Sequence, residues 1–294
     1  MKRDNEGGTP MTQLFDPKMD FIFKKIFGSD KHHNILISFL NAVMKPKDPI
    51  VTVEIKDPNV TQDMLDGKSS RLDVKATTNF GELINIEIQL KNEYNMVKRS
   101  LFYWSKMYSE QLGKGKNYDT LSKTVCINLL DFSYLKTDLY HSCFRLKETT
   151  TNEELTDVQE IHFIEFPKLP KDADIKDLLV AWMKFLIDPE DEEVRSLEFT
   201  KKEFREAKDE LVRLSHDSDA RAIYEAREKA EYDRISALET AKVESKEEGR
   251  IEGKEEGRLE GVTEIAKRSL AQGFDTKTIA IITGLSEAEI EKLK

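Results

Sequence analysis

Ser70-Arg71-Leu72-Asp73-Val74-Lys75-Ala76 and Leu83-Ile84-Asn85-Ile86-Glu87-Ile88-Gln89-Leu90-Lys91 decide the fold of this chain. Both stretches alternate polar and apolar residues, and Asn79-Phe80-Gly81-Glu82 lies between them. Period-two alternation around an Asn/Gly turn predicts a hairpin. Glu87, Gln89 and Lys91 then share one strand face, because residues two apart point the same way. If the turn closes at Phe80-Gly81, Asp73 lies opposite or diagonal to Glu87. A strand carboxylate is most often simply solvated. Here Val74, Ala76, Ile84, Ile86 and Ile88 make strands too apolar for that account to be comfortable. Two carboxylates on a rigid sheet are also a means of holding Mg²⁺, whose waters a phosphate can replace.

Composition bounds the rest. The chain has 294 residues and a formal charge of -10, which suits one domain of about 150–200 residues with an appendage. No apolar run approaches the roughly 20 residues that span a bilayer. Met1 to Met11 is polar and lacks the apolar core of a signal peptide, so the expectation is a cytoplasmic protein without a membrane partner. The two cysteines, Cys126 and Cys143, each sit in an apolar segment and read as reduced core residues, since zinc motifs need more ligands. There is no G-x-x-x-x-G-K-[ST] loop, no H-E-x-x-H helix and no G-x-S-x-G element. His32 and His33 are adjacent and face different ways, a poor metal pair.

Net acidity argues mildly against nucleic acid, but DNA responds to local patches. Lys91–Lys123 is basic, with Lys98, Arg99, Lys106, Lys114 and Lys116, and aromatic, with Tyr94, Phe102, Tyr103, Trp104 and Tyr108. The aromatics fit an amphipathic helix over 96–112 lying on the sheet. Lys98 and Arg99 follow the Glu87 strand directly and are the better phosphate candidates.

Further elements follow from the pattern. Asp20 precedes a short helix, Phe21–Phe27, and has two readings: an N-cap for that helix, or a third site carboxylate. A second helix covers about His33–Met44 and ends at Pro46. Strands are expected near 50–56, 68–77, 83–91, 140–146 and 158–166. Thr124–Leu130 is a continuous apolar run, the mark of a central strand. Helices are expected at Asp174–Leu186, Glu198–Leu214 and from Arg221 to about Gln272. The order αβββαβ describes a mixed sheet flanked by helices.

The ordered segments Asp20–Gly28, Arg71–Val74, Asn85–Gln89, Arg99–Trp104, Gly115–Tyr118, Ile161–Glu165 and Pro167–Leu169 together resemble the Rpn-type PD-(D/E)XK nuclease family transposases. The likeness runs over roughly residues 14–170, with a family-like tail. It implies a restriction-endonuclease-like α/β core and metal-dependent DNA cleavage linked to recombination. Asp73 matches the superfamily's first carboxylate and Glu87 the second. Gln89 stands where the superfamily has Lys, as in an E-x-Q variant. The resemblance implies Asp73, Glu87 and Gln89 as the catalytic residues, and Asp73, Glu87 and also Asp20 as ligands of Mg²⁺ or Mn²⁺. Gln carries no charge and can only orient a water; Lys91 is the candidate for the missing cation. Lys91, Lys98 and Arg99 are the candidate DNA contacts. Two other readings stand beside this one: a nuclease-fold binding protein without activity, and an RNA-directed nuclease.

The expected organisation is a disordered N-terminal segment 1–13, a nuclease-like domain 14–187, a charged helical region 188–272 and a small helical unit 273–294. Gly249, Gly253, Gly257 and Gly261 recur every four residues, forming a slowly winding stripe on a helix. That stripe is either a surface for assembly into a homo-oligomer or a weakly stable charged helix. The end of the chain, with Gly273, Asp275, Gly284 and Ser286 as punctuation, resembles a helix-turn-helix. Its last helix carries Glu287, Glu289 and Glu291, which favours protein contacts over base reading.

Overall fold

A computed structural model of the chain describes residues 13–56 and 74–293. Two short helices come first, α1 (Asp20–Phe27) and α2 (His33–Met44). The sheet strands are β1 (Val53–Lys56), β2 (Val74–Thr78), β3 (Leu83–Gln89), β4 (Thr124–Leu130), β5 (His141–Lys147) and β6 (Glu154–Glu165), with α3 (Met96–Glu110) between β3 and β4. Then come α4 (Leu178–Ile187), α5 (Glu192–Thr200), α6 (Lys202–His216), α7 (Ser218–Ala271), α8 (Thr276–Thr283) and α9 (Glu287–Glu291).

Among the described residues the six strands form one sheet in the order β1-β2-β3-β4-β6-β5. The β1/β2, β2/β3 and β5/β6 pairs are antiparallel, whereas β3/β4 and β4/β6 are parallel. The β2–β3 hairpin turns where expected. Gly81, at φ 79°, donates its N–H to the Thr78 carbonyl, a conformation that glycine adopts without steric cost. β4 is buried along its whole length because it has parallel neighbours on both sides and helices on both faces.

Alternation sorts the side chains of the sheet onto two faces. Ile84 and Ile86 of β3, Val125, Ile127 and Leu129 of β4 and Ile164 of β6 join the main core with α1, α2, α4 and α6. Cys126, Leu130, Ile161 and Phe163 face the other way, onto Met96 of α3. Glu87 pairs with Asn128 in the β3/β4 register and so belongs to this second face.

Several expectations need correction. The helix expected over Glu198–Leu214 is broken at Lys201, whose backbone is extended. The break lets α5 bury Val194 while α6 buries Phe204, Ala207, Leu211 and Leu214. Phe204 stacks on Trp182 of α4 with ring centroids 4.0 Å apart. The first compact unit therefore runs through Tyr224, and the second comprises Glu225–Lys294. Cys143 is not a core residue: it is exposed, on the edge strand β5, whereas Cys126 is buried. Of the aromatics near α3, Tyr103 is buried but Tyr94 and Phe102 are exposed. β3 ends at Gln89, two residues short of Lys91.

In the second unit the end of α7 is closed by Gly273 at φ 84°. Phe274 N–H bonds the Ser269 carbonyl and Gly273 N–H the Leu270 carbonyl, the two bonds of a Schellman ending. Ala266, Ile279 and Ile290 form a small core that joins α7, α8 and α9. Asp275 caps α8, and Ser286 with Glu289 forms a reciprocal capping box on α9. Among the described residues no helix is long and apolar enough to cross a membrane.

Candidate active site on the α3 face of the sheet

Glu87 is only 2% exposed. Its position follows from the alternation of β3, which sends Ile86 and Ile88 to the main core and Glu87 beneath α3. Taking a carboxylate out of water is costly unless it is paired. The pairing comes from the first turn of α3, where Arg99 Nε donates to Glu87 Oε2 at 3.1 Å. The Arg99 guanidinium also lies 4.0 Å from Glu93 and 5.5 Å from the Tyr103 ring centroid. Met96, the first residue of α3 and fully buried, pins that end of the helix against the sheet.

Beside Glu87, Asn128 of β4 donates from Nδ2 to the His162 carbonyl at 3.0 Å. Ser100 Oγ lies 2.8 Å from both Asn128 Oδ1 and the Met96 carbonyl, so its single hydrogen serves one at a time. These polar residues lock α3 to β4 next to the carboxylate. Sequence periodicity alone does not single out Ser100 and Asn128. The available signal was an Asn in the middle of an otherwise apolar run, a buried polar group that needs partners.

The other site candidates fall as follows. Gln89 is half-buried at the end of β3, and its carbonyl accepts from Asp131 N at 3.0 Å. Asp131 is paired in turn with Lys18 at 2.9 Å, so a lysine from ahead of α1 reaches this end of the sheet. Burial raises the Asp16 carboxyl against the opposing hydrogen bond and charge of Lys18. Lys91 and Lys98 are exposed. Asp20 is the first residue of α1, with Met19 at the N-cap position. Its Oδ1 accepts from Phe21 N at 2.7 Å, so it serves a free amide of the helix start from inside the first turn. α1 packs against β3. Asp73 lies outside the described residues. It adjoins Val74 in the chain, and Val74 pairs with Ile86, the neighbour of Glu87.

The donors at this face are carboxylate and amide oxygens, the hard set that suits Mg²⁺ or Mn²⁺ and not a soft metal.

Residues 17–241 match the family described as PD-(D/E)XK nuclease family transposase. Residues 259–294 match the Rpn/YhgA-like nuclease family, C-terminal HTH domain, the segment built from the end of α7 with α8 and α9. No curated protein and no solved structure gives a significant match. The mixed six-stranded sheet with flanking helices is the restriction-endonuclease-like α/β fold of such nucleases.

Proposed function

Because this chain belongs to the PD-(D/E)XK nuclease family transposases, we propose that it is a metal-dependent DNA endonuclease acting in recombination or on mobile DNA. The observation that carries this reading is the buried Glu87, held in the sheet by its strand and aimed at α3. Asp73 and Glu87, with Asp20, would hold Mg²⁺ or Mn²⁺. The ion supplies Lewis-acid activation of water and neutralises charge on the phosphoryl group.

The chain's own residues do the remaining work. Gln89 accepts a hydrogen bond from the attacking water and orients it. Arg99 carries a permanent charge and a fork of donors matched to phosphate oxygens, and Lys91 and Lys98 extend the basic surface along the substrate. The HTH domain supports DNA as the partner. The last helix of that domain, α9, is acidic, so the basic surface for DNA is assigned to the nuclease domain, and assembly through the C-terminal helices into a homo-oligomer is part of the same proposal.

One observation favours a second reading, a nuclease-fold binding protein: Arg99 already neutralises Glu87. Nicking of supercoiled plasmid with Mg²⁺ or Mn²⁺, wild type beside Glu87→Gln, separates the two. The nuclease reading expects metal-dependent nicking that falls by about 100-fold or more in the variant. Equal nicking by both proteins overturns the assignment of Glu87. No nicking of DNA or of RNA by folded wild type favours the binding protein, and cleavage of RNA alone changes the substrate.

A further inference from the structure

The sheet edge formed by β5 and β6 carries a second constellation that the nuclease chemistry does not use. Cys143 pairs with His162 across the two strands. Residues two apart share a face, so His141, Cys143 and Arg145 of β5 meet Glu160 and His162 of β6. This is the face opposite Glu87, because His162 pairs with Ile127 of β4, which points into the main core.

Three ligand types converge there. His162 Nε2 lies 2.7 Å from Glu160 Oε1 and 3.9 Å from Cys143 Sγ. All three ligand atoms lie within 4.8 Å of one another, the one such group of three among the described residues. His162 and Glu160 are buried, while Cys143 is exposed and gives the site an entrance.

We propose that Cys143, Glu160 and His162 form a site for Zn²⁺ or a metal of similar softness, separate from the nuclease metal. A thiolate, an imidazole nitrogen and a carboxylate oxygen are zinc's ligand set, and three protein ligands leave a fourth position for water. The thiolate selects against Mg²⁺.

The surroundings hold the ligands as a metal site requires. Glu160 Oε2 is engaged by Arg145 Nε at 2.7 Å and by Lys123 at 3.1 Å, which fixes the carboxylate and leaves Oε1 for the metal. On the far side of the ring, His162 Nδ1 lies 2.9 Å from His141 Nε2. Those facing nitrogens need one hydrogen between them. If His141 donates it, His162 Nε2–H donates to Glu160. If His162 Nδ1–H donates it, the Nε2 lone pair faces the carboxylate and Sγ, where either the Cys143 S–H or a cation can meet it. Metal entry exchanges the first state for the second through solvent: His162 loses its Nε2 proton and carries one at Nδ1. His141 gives up its Nε2 proton and takes one at Nδ1, and the Cys143 thiol releases its proton. Thiolate and carboxylate then balance the charge of a divalent ion. The charges of Arg145 and Lys123 oppose binding and set its strength. The bound metal ties the edge strand β5 to β6.

The test is a Co²⁺ titration of the full chain, reduced and stripped of metal. Expected is a thiolate-to-cobalt charge-transfer absorption that one equivalent of Zn²⁺ abolishes. It is lost in Cys143→Ser, an exposed position whose folding circular dichroism confirms, and retained in Glu87→Gln. The absence of the band in folded wild type overturns the proposal. So does a band that survives Cys143→Ser, which would assign it to Cys126. Neither result bears on the nuclease reading, whose site the titration leaves intact.

Discussion

Arg99 donates from α3 to the buried carboxylate of Glu87 on β3 across 3.1 Å, and this bond ties the stability of the α3 face to a carboxylate proposed as a metal ligand. Arg99 is 24% exposed and Glu87 2%, so the carboxylate has less water than the arginine to offset the loss of this bond. Removing one partner of a buried pair leaves an uncompensated charge and costs about 3–5 kcal/mol, less where the partner is partly solvated. Arg99→Ala should therefore destabilise the protein by about 2–3 kcal/mol in urea unfolding. Adding Glu87→Gln should recover much of that loss. A double variant no more stable than Arg99→Ala would show that the pair does not dominate.

Gln89 tests the proposed water-orienting role. Gln89→Ala should slow cleavage by up to about 100-fold, with little change in unfolding midpoint, because it removes one positioning hydrogen bond. Gln89→Lys, which restores the residue usual in the superfamily, should keep more activity than Gln89→Ala. Single-turnover rates at saturating metal decide it. Equal rates for all three proteins would exclude Gln89 from the reaction.

The acid limb of stability should have two windows. Burial, then the neighbouring His162 and Lys45, lower His141 to about 4, against the attraction of Asp177 and Glu160. The unfolded chain takes up this proton near pH 6.5 and the folded one does not, so stability should fall as pH drops from about 6.5 to 4. Burial alone would raise Glu160, but the His162 hydrogen bond and charge and then Lys123 outweigh it and bring it to about 2. Its contribution is present above about pH 4.5 and is lost as pH falls toward 2. Urea midpoints measured against pH in chelator should show a shallower slope between 6.5 and 4 for His141→Gln. The slope below 4.5 should be shallower for Glu160→Gln. Slopes identical to wild type would remove these groups as the cause.

The glycines of α7 make a prediction of the opposite sign. An added Cβ at Gly249, Gly253, Gly257 or Gly261 meets nothing within 4 Å among the described residues. Each Gly→Ala change should stabilise the helix by about 1 kcal/mol, read as slower amide exchange over 249–261. If the stripe is an assembly surface, the fourfold Ala variant should also lose oligomers in sedimentation. A gain in protection with oligomeric state unchanged leaves only the helix-stability role.

Much of the fold is legible in local chemistry. The apolar run at Thr124–Leu130 is the buried central strand, because only a strand flanked on both sides and both faces tolerates no polar face. α2 runs His33–Met44, stopping before Pro46 as a proline demands. The Asp275 and Ser286 caps and the Gly273 ending are visible because each satisfies backbone groups within a few residues of itself.

What sequence determined by itself was therefore the hairpin, the central strand, the helix boundaries set by caps and breakers, and the face on which Glu87 stands. These depend on contacts within a turn or two of the chain and on the strict alternation of strands. The tertiary structure alone decided who meets whom on those faces: Arg99 with Glu87, Ser100 with Asn128 and Cys143 with His162. It also decided the break at Lys201 that lets α6 reach Trp182. Such partners come from different elements, and periodicity reports which way a side chain points, not which strand or helix packing brings in front of it.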